Sequence, residues 1–360
     1  MKRCELLVIG GGPAGLCAAI NAAKAGCRVT VLERNPLMGG QLVKQTHMFF
    51  GSRKQHAASR GIHIAELLER ELAGLQDNVE LLTSTTALGI YEDGVVTAMR
   101  GEERYMRIKS DALVVASGAC EKSLAFEGND LPGIYGAGAV QTLMNVYGVS
   151  VGDSVVMVGA GNIGLIVSYQ LLQAGVRVKR ILDAAPRIGG YLVHASKVAR
   201  MGVPIETSCT VRRAFGGDSL EAVETVRLDG DFRPIAGTER IIDTDVLCIS
   251  VGLTPLTELL AMAGCDMCYI PQLGGMVPKK DENYMTSVDK LFVAGDVSGI
   301  EEASAAMVEG SIAGICAARA LGHEPADADA ALAELRAQLD SLRAGPAGKH
   351  IRDGVSQTAL

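Results

Sequence analysis

No stretch of this 360-residue chain approaches the roughly eighteen uninterrupted apolar positions that a membrane-spanning helix needs, which excludes a span. Basic clusters are missing as well. The 34 Lys and Arg stand against 41 Asp and Glu, a formal charge of -7, so nucleic acid and anionic membrane are poor candidates for the main partner. A disulfide framework is also absent: the nine cysteines, an odd number scattered from Cys4 to Cys316, read as buried thiols in a reducing compartment, a cytoplasm. Zinc spacing is lacking, because CxxC occurs only in GCDMC (Gly264 to Cys268) with no second CxxC or CxxH near it, so no metal is assigned. In the opening MKRCELLVIGGG, Glu5 and the glycines oppose a secretory leader.

What the chain does have is an apolar content of 48%, enough for two domains, and glycine in two patterned places. Glu5 to Ile9 read as a buried strand, Gly10-Gly11-Gly12-Pro13-Ala14-Gly15 as a turn, and Leu16 to Ala25 as a helix. Gly10 permits the tight turn, Gly12 lets a pyrophosphate approach the backbone, and Gly15 lets helix and strand pack closely. The next strand, Arg28 to Leu32, ends at Glu33, whose carboxylate suits an adenosine ribose. The pattern then recurs in Ser154 to Val158, Gly159-Ala160-Gly161-Asn162-Ile163-Gly164, and the strand Val176 to Leu182 ending at Asp183. NPLMGGQL (Asn35 to Leu42) matches APRIGGYL (Ala185 to Leu192), so one chain holds two related dinucleotide sites. At the second, Asp183 accepts from a free ribose 2′-OH and repels a 2′-phosphate, which favours NAD; Arg177, Lys179 and Arg180 weigh against this but alternate along a strand.

With these fingerprints the sequence resembles the pyridine nucleotide-disulfide oxidoreductase superfamily in its short, thioredoxin-reductase-like form, over about residues 2 to 322. VVASGA (Val114 to Ala119) looks like the family's ATG motif and LFVAGDVSG (Leu291 to Gly299) like its second FAD motif. The resemblance implies an α/β fold of two Rossmann-like, three-layer ββα domains, the NAD domain inserted into the FAD domain. The expected segments are 1-132 and 251-323 for FAD, 133-250 for NAD, and 324-360 as a C-terminal helical tail. FAD and NAD(H) are the implied cofactors. For FAD the implied contacts are Gly10, Gly12, Pro13, Ala14, Gly15, Glu33, Arg34, Gly40, Gln41, Ala116, Ser117, Gly118, Gly295, Asp296, Ala303 and Ser304. For NAD they are Gly159, Gly161, Asn162, Ile163, Gly164, Asp183 and Gly252. Asp296 would meet the ribityl chain, and the helix starting near Ser304 would aim its positive end at the flavin. Gln41 and His47 are the candidate catalytic positions, Gln41 as a flavin contact and His47 as a proton gate or pocket residue, with a structural histidine the alternative.

The family's redox cysteines occupy two places, which here read GGQLVKQTHMFFGS and GIYGAGAVQTLMNVYG, without a cysteine. Cys265 and Cys268 lie elsewhere and read as core thiols, as does Cys120. Three stretches, Ala116 to Val149, Val251 to Cys265 and Ala294 to Gly314, resemble the NAD/FAD subunits of sarcosine oxidase, dye-linked proline dehydrogenase, opine oxidase and hydrogen cyanide synthase. This implies hydride transfer between NADH and FAD in an electron-transfer subunit of an amine, amino-acid or hydroxy-acid dehydrogenase. The implied partners are an iron–sulfur protein and a substrate-oxidising subunit, with a homo-oligomer left open. The competing readings are a disulfide reductase and a non-catalytic scaffold subunit. Glu301 and Glu302 are expected to cap the following helix. In the tail, Leu332, Leu335, Leu339 and Leu342 form one apolar stripe, for docking on the FAD domain or a partner, and residues after Gly345 are expected to fray.

Overall fold

The computed structural model describes residues 1–49, 52–325 and 327–360. Met1–Cys120 together with Leu253–Leu360 make one compact unit and Glu121–Gly252 a second. Phe50 and Gly51, at the end of the QTHMFFG stretch, lie outside the described residues.

The first part of the outer unit runs β1 (Lys2–Ile9), α1 (Pro13–Lys24), β2 (Val29–Leu32), α2 (Gly61–Ala73), β3 (Val79–Leu82), β4 (Thr85–Ile90), β5 (Val95–Arg100), β6 (Arg104–Val115) and β7 (Ala119–Glu121). The inner unit adds β8 (Ile134–Gly136), α3 (Ala137–Gln141), β9 (Ser154–Val158), α4 (Asn162–Gln173), β10 (Arg177–Asp183), α5 (Leu192–Arg200), β11 (Ile205–Thr207), β12 (Cys209–Gly216), β13 (Leu220–Arg227), β14 (Arg240–Asp243) and β15 (Val246–Ile249). The chain then supplies β16 (Leu253–Pro255), α6 (Glu258–Met262), β17 (Met267–Ile270), β18 (Gly275–Pro278), β19 (Leu291–Val293), α7 (Ala303–Ala320), α8 (Ala328–Leu342) and α9 (Gly345–Val355).

In the outer unit five parallel strands lie in the order β3-β2-β1-β6-β19, and β6 continues into an antiparallel branch with β5 and β4. β1 starts at Lys2, earlier than the apolar pattern predicts, because the twelve-residue β6 extends the pairing to Lys2 opposite Ile108. Its side chains alternate between two cores. Leu6 and Val8 face the helical layer with α1 and α7, while Leu7 and Ile9 face the β5–β6 branch with Leu260 and Cys265. Burial on both faces is why the strand reads as a continuous apolar run instead of alternating.

The inner unit repeats this plan with parallel order β11-β10-β9-β15-β8 and an antiparallel β12-β13-β14 sheet. Val155 and Met157 point into one core, Val156 and Val158 into the other. The unit begins at Glu121, not at residue 133 as the sequence suggests, because Leu124, Phe126 and Leu131 pack on its core and Glu127 bridges to Arg213. At its other end it includes Val251 and Gly252, where the carbonyl of Gly252 accepts from the Lys122 N–H.

α1 and α7 cross closely because small residues line the contact. A side chain at Gly310 would run into the carbonyl of Ala14, and one at Gly314 into that of Ala18. The tail is ordered beyond the expected fraying point. Ala328, Leu332 and Leu339 of α8 are buried on the α7 side of the outer core, with Leu335 and Leu342 packed beside them. α9 lies against Pro271–Leu273, and the Thr358 carbonyl accepts from the Lys280 N–H at 2.9 Å.

Candidate cofactor sites

The first glycine turn is built on β1 and α1. Gly10 has φ +109°, and a side chain there would strike the Ala116 carbonyl; one at Gly15 would strike the carbonyl of Gly10. Gly12, at the mouth of the turn, has only the Gly40 Cα in van der Waals range of an added methyl, so its backbone stays open to a phosphate. Glu33, 5% exposed, is braced through both carboxylate oxygens. Oε2 accepts the Gly11 N–H at 2.8 Å and Oε1 accepts from the Asn35 backbone and side-chain amides at 2.8 Å. The following loop folds back on the turn, with the Gly39 N–H donating to the Gly11 carbonyl at 2.7 Å and Gly40 against Gly12. That places Gln41, exposed, one residue from the turn, while Arg34 is exposed beyond Glu33.

The second turn reproduces these bonds almost one for one. Gly159 has φ +109° and faces the Ser250 carbonyl, and Gly164 faces the carbonyl of Gly159. Asp183 Oδ2 accepts the Ala160 N–H at 2.7 Å and Oδ1 the Ala185 N–H at 2.9 Å; the Gly190 N–H donates to Ala160 at 2.9 Å. Gly161 is open on the side a Cβ would occupy, Ile163 is partly exposed at the start of α4, and Asn162 Oδ1 accepts the Tyr191 N–H at 2.8 Å. Gly252 follows β15 with φ +120°. Two of the three basic residues of β10 are engaged elsewhere, Arg180 pairing with Glu206 and Lys179 donating to the Asp243 carbonyl, while Arg177 is exposed at the start of the strand.

After β6, Ala116 is buried, Ser117 Oγ donates to the Leu256 carbonyl at 2.8 Å, and Gly118 takes φ +77° with open space on its Cβ side. After β19, Gly295 also has positive φ and lies against Ala14 of the fingerprint helix, which brings the Asp296 turn to the same edge of the sheet. Asp296 is half-buried, and burial, with Glu309, Glu301 and Glu302 adding repulsion, pushes its carboxyl up to about 7. Ala303 opens α7 and Ser304 is buried in its first turn.

Glu301 is not a cap. It makes a two-point ion pair with Arg343, from Nη2 to Oε1 at 2.6 Å and from Nε to Oε2 at 3.0 Å, and Glu302 at the N-cap position makes no side-chain cap bond. The tail residue Arg343 and the α7 carboxylate Glu309 are the functional candidates that sequence reasoning missed. A single charge inside the otherwise apolar ASAAMVEGSIAG was the available signal for Glu309. His47 is half-buried and stacks on Phe49, ring centroids 5.8 Å apart.

The cysteines are free, but not all are the buried thiols the sequence suggests: Cys120 is exposed, not a core thiol, and Cys4 and Cys268 are half-buried. Cys265 is in the core beside the β5–β6 branch with Sγ 3.5 Å from Thr286 Oγ1, and Cys268 Sγ meets the Val277 carbonyl at 3.6 Å across the β17–β18 hairpin. Burial raises both thiols, which disfavours the thiolate that exchange chemistry needs. Among the described residues one trio could offer metal ligands, Glu5, Cys27 and His323. Its carboxylate is already shared, Oε1 with His323 Nε2 and Oε2 with the Arg28 N–H. No helix among the described residues is long and apolar enough to cross a membrane.

Two braced glycine turns, each on its own parallel sheet, define the class of oxidoreductases with paired dinucleotide-binding domains. The chain belongs to the pyridine nucleotide-disulphide oxidoreductase family, whose sequence profile matches residues 4–310. The cofactors of that family are FAD and NAD(P), and the open glycine edges and ribose-level carboxylates described above fit both. Among curated relatives, the chain is 29% identical to an opine oxidase subunit of Agrobacterium tumefaciens over 87% of its own length and 65% of the relative's. It is 31% identical to the alpha subunit of sarcosine oxidase of Rhizobium meliloti over 73% of its length and 26% of the relative's. The chain thus spans just under two thirds of the first and about a quarter of the second. Among solved structures, L-proline dehydrogenase from P. horikoshii shares the fold with TM-score 0.71 at 23% identity, over 92% of this chain and 59% of that one. Thioredoxin reductase of T. acidophilum does so with TM-score 0.72 at 19% identity, over 89% and 99%.

Proposed function

We propose that the chain is an FAD-dependent NAD(H) oxidoreductase and serves as the electron-transfer subunit of a multi-subunit amine, amino-acid or hydroxy-acid dehydrogenase. The observation that carries this reading is the duplicated turn with its locked carboxylate, Glu33 on Gly11 and Asp183 on Ala160, in a chain whose two neighbouring cysteines, Cys265 in the core and Cys268 half-buried in a hairpin, are both raised by burial. Bound FAD would supply hydride acceptance at its ring, and the chain's part is placement and charge. Glu33 would hold the adenosine ribose of FAD and the open Gly12 backbone its pyrophosphate. Asp183 would hold the NAD ribose, and its charge, with Arg180 and Lys179 turned to other partners, favours NAD over NADP. Gln41, exposed next to the turn, would contact the flavin, and His47 would line the same loop as a proton gate. Ala303 and Ser304 at the start of α7 would present backbone N–H groups to the flavin's pyrimidine edge.

The proposed partner is a substrate-oxidising subunit, a reading supported by relatives that are themselves named as subunits of oxidases and of hydrogen cyanide synthase. An iron–sulfur protein as onward carrier, a homo-oligomer and a cytoplasmic setting with reduced thiols complete the proposal. Anaerobic titration tests it: NADH should bleach the bound flavin of the wild type and of C265S/C268S to the same extent. Loss of bleaching in the double variant supports a disulfide reductase, and no bleaching in either supports a scaffold.

A further inference from the structure

We propose that Arg343, the residue that ends helix α8, is a positioning residue for FAD: it clamps Glu301 and Glu309, and through them the Gly295–Ser298 turn that carries Asp296. This rests on the reading of that turn as a flavin contact. The geometry is continuous. Arg343 Nη2 donates to Glu301 Oε1 at 2.6 Å and to Glu309 Oε1 at 2.7 Å, while Nε donates to Glu301 Oε2 at 3.0 Å. The other oxygen of Glu309 accepts the Gly295 N–H at 2.9 Å and the Ser298 hydroxyl at 3.0 Å. One carboxylate therefore ties the backbone on one side of Asp296 to the side chain at 298.

The cluster is shut away from water, with Arg343, Glu301 and Glu309 side chains 11%, 9% and 3% exposed. Tyr284 donates its hydroxyl to Glu309 Oε1 at 3.0 Å, and the buried Lys280 donates to the Ser298 carbonyl at 2.9 Å. Two cations, Arg343 and Lys280, thus face two carboxylates, Glu301 and Glu309, and Asp296 is the additional acid beside them. Burial depresses Lys280, so Arg343 is the dependable cation; its guanidinium is held above its ordinary range by Glu309 and Glu301 despite burial. Without Arg343, Glu301 would lose its two-point ion pair and Glu309 its bond to a guanidinium, and the added negative charge would oppose the charge a reduced flavin develops. A lysine keeps the charge but not the fork that serves both partners.

The α8 helix has no chemistry of its own to contribute, yet its apolar stripe fixes the position from which Arg343 reaches inward. The tail is thereby part of the FAD site, although it lies beyond the matched family profile, which ends at residue 310.

The test measures FAD dissociation by flavin fluorescence and the reduction potential by dye equilibration in wild type, R343Q, R343K and the charge-matched E301Q/R343Q, with V223A, in the core of the inner unit, as a stability control. R343Q and E301Q/R343Q should bind oxidised FAD at least tenfold more weakly. R343Q should bind reduced FAD a further tenfold more weakly, a potential about 30 mV more negative. R343K should fall between wild type and R343Q, and V223A should lower only the unfolding temperature. FAD affinity within twofold of wild type in both R343Q and E301Q/R343Q, with a potential in R343Q within about 9 mV of wild type, would overturn the proposal. If those two variants do not fold, R343K decides: wild-type affinity and potential in R343K would overturn it. A wild-type protein that binds no FAD would instead refute the flavin reading itself.

Discussion

Asp296 is held where its ionised form is disfavoured, and the consequence is a pH dependence of opposite sign to the usual carboxylate. Its folded value of about 7 lies above the ordinary 3.8, so between roughly pH 4 and 7 the folded chain retains a proton that the unfolded chain has lost. Stability of the apoprotein therefore falls as pH rises through that window. D296N should remove this fall, so the urea midpoint difference between D296N and wild type should grow from about pH 4 to 7 and then level; parallel curves would contradict it. The same variant should weaken FAD binding. At Asp183, loss of the carboxylate in D183A should raise KM for NADH on the order of 10-fold with NADPH less affected, because one charge-assisted pair is worth about 1.5–3 kcal/mol. Steady-state kinetics with both coenzymes check this, and an unchanged NADH to NADPH ratio would refute it. Both acids were legible because their partners are fixed by the local turn. Arg343 was not: nothing in its neighbourhood distinguishes it from a surface arginine, and its partners are set by how α8 docks, 34 to 42 residues away in sequence.

Among the elements, the α1–α7 crossing is the most sensitive to bulk. Gly310 and Gly314 meet the backbone of Ala14 and Ala18, which cannot yield as a flexible side chain can. G314L should therefore cost at least about 1–3 kcal/mol of stability, the usual range for overpacking, and should drive α7 off the fingerprint helix with loss of FAD. Thermal unfolding and flavin retention test it; a variant as stable and as yellow as wild type would refute the close crossing. The strands and helices around both turns were readable from apolar runs and glycine spacing, apart from their ends. β1 runs longer because its partner strand does, a pairing fact invisible to local pattern. The sequence after Gly345 suggests fraying, yet α9 is held by contacts with Pro271–Leu273 and by the bond from Lys280 to Thr358.

Each of the two units has its own apolar cores on both faces of its parallel sheet. The ends of the inner unit are joined by the Lys122 to Gly252 hydrogen bond, so it closes on itself before the chain returns to β16. Replacing residues 121–252 by a short glycine-rich linker should leave an outer unit that still binds FAD and is reduced by dithionite but not by NADH. Absorbance spectra decide this, and failure of the shortened chain to hold flavin would show that the outer unit depends on the inner one. The domain insertion was legible from motif order. The point of insertion was not, because the resemblance over Ala116 to Val149 runs through residues 121–133 without a break and only packing assigns them to the inner unit.

The two units also differ in where the fifth parallel strand comes from. β19 reaches β6 from the far end of the chain, whereas β8 precedes its own fingerprint and pairs with β15. A circular permutant of the inner unit that began at Ser154 and carried Ile134–Gly136 last would have the same strand order as its host. One cut and one rejoining would therefore convert the wiring of either half into that of the other.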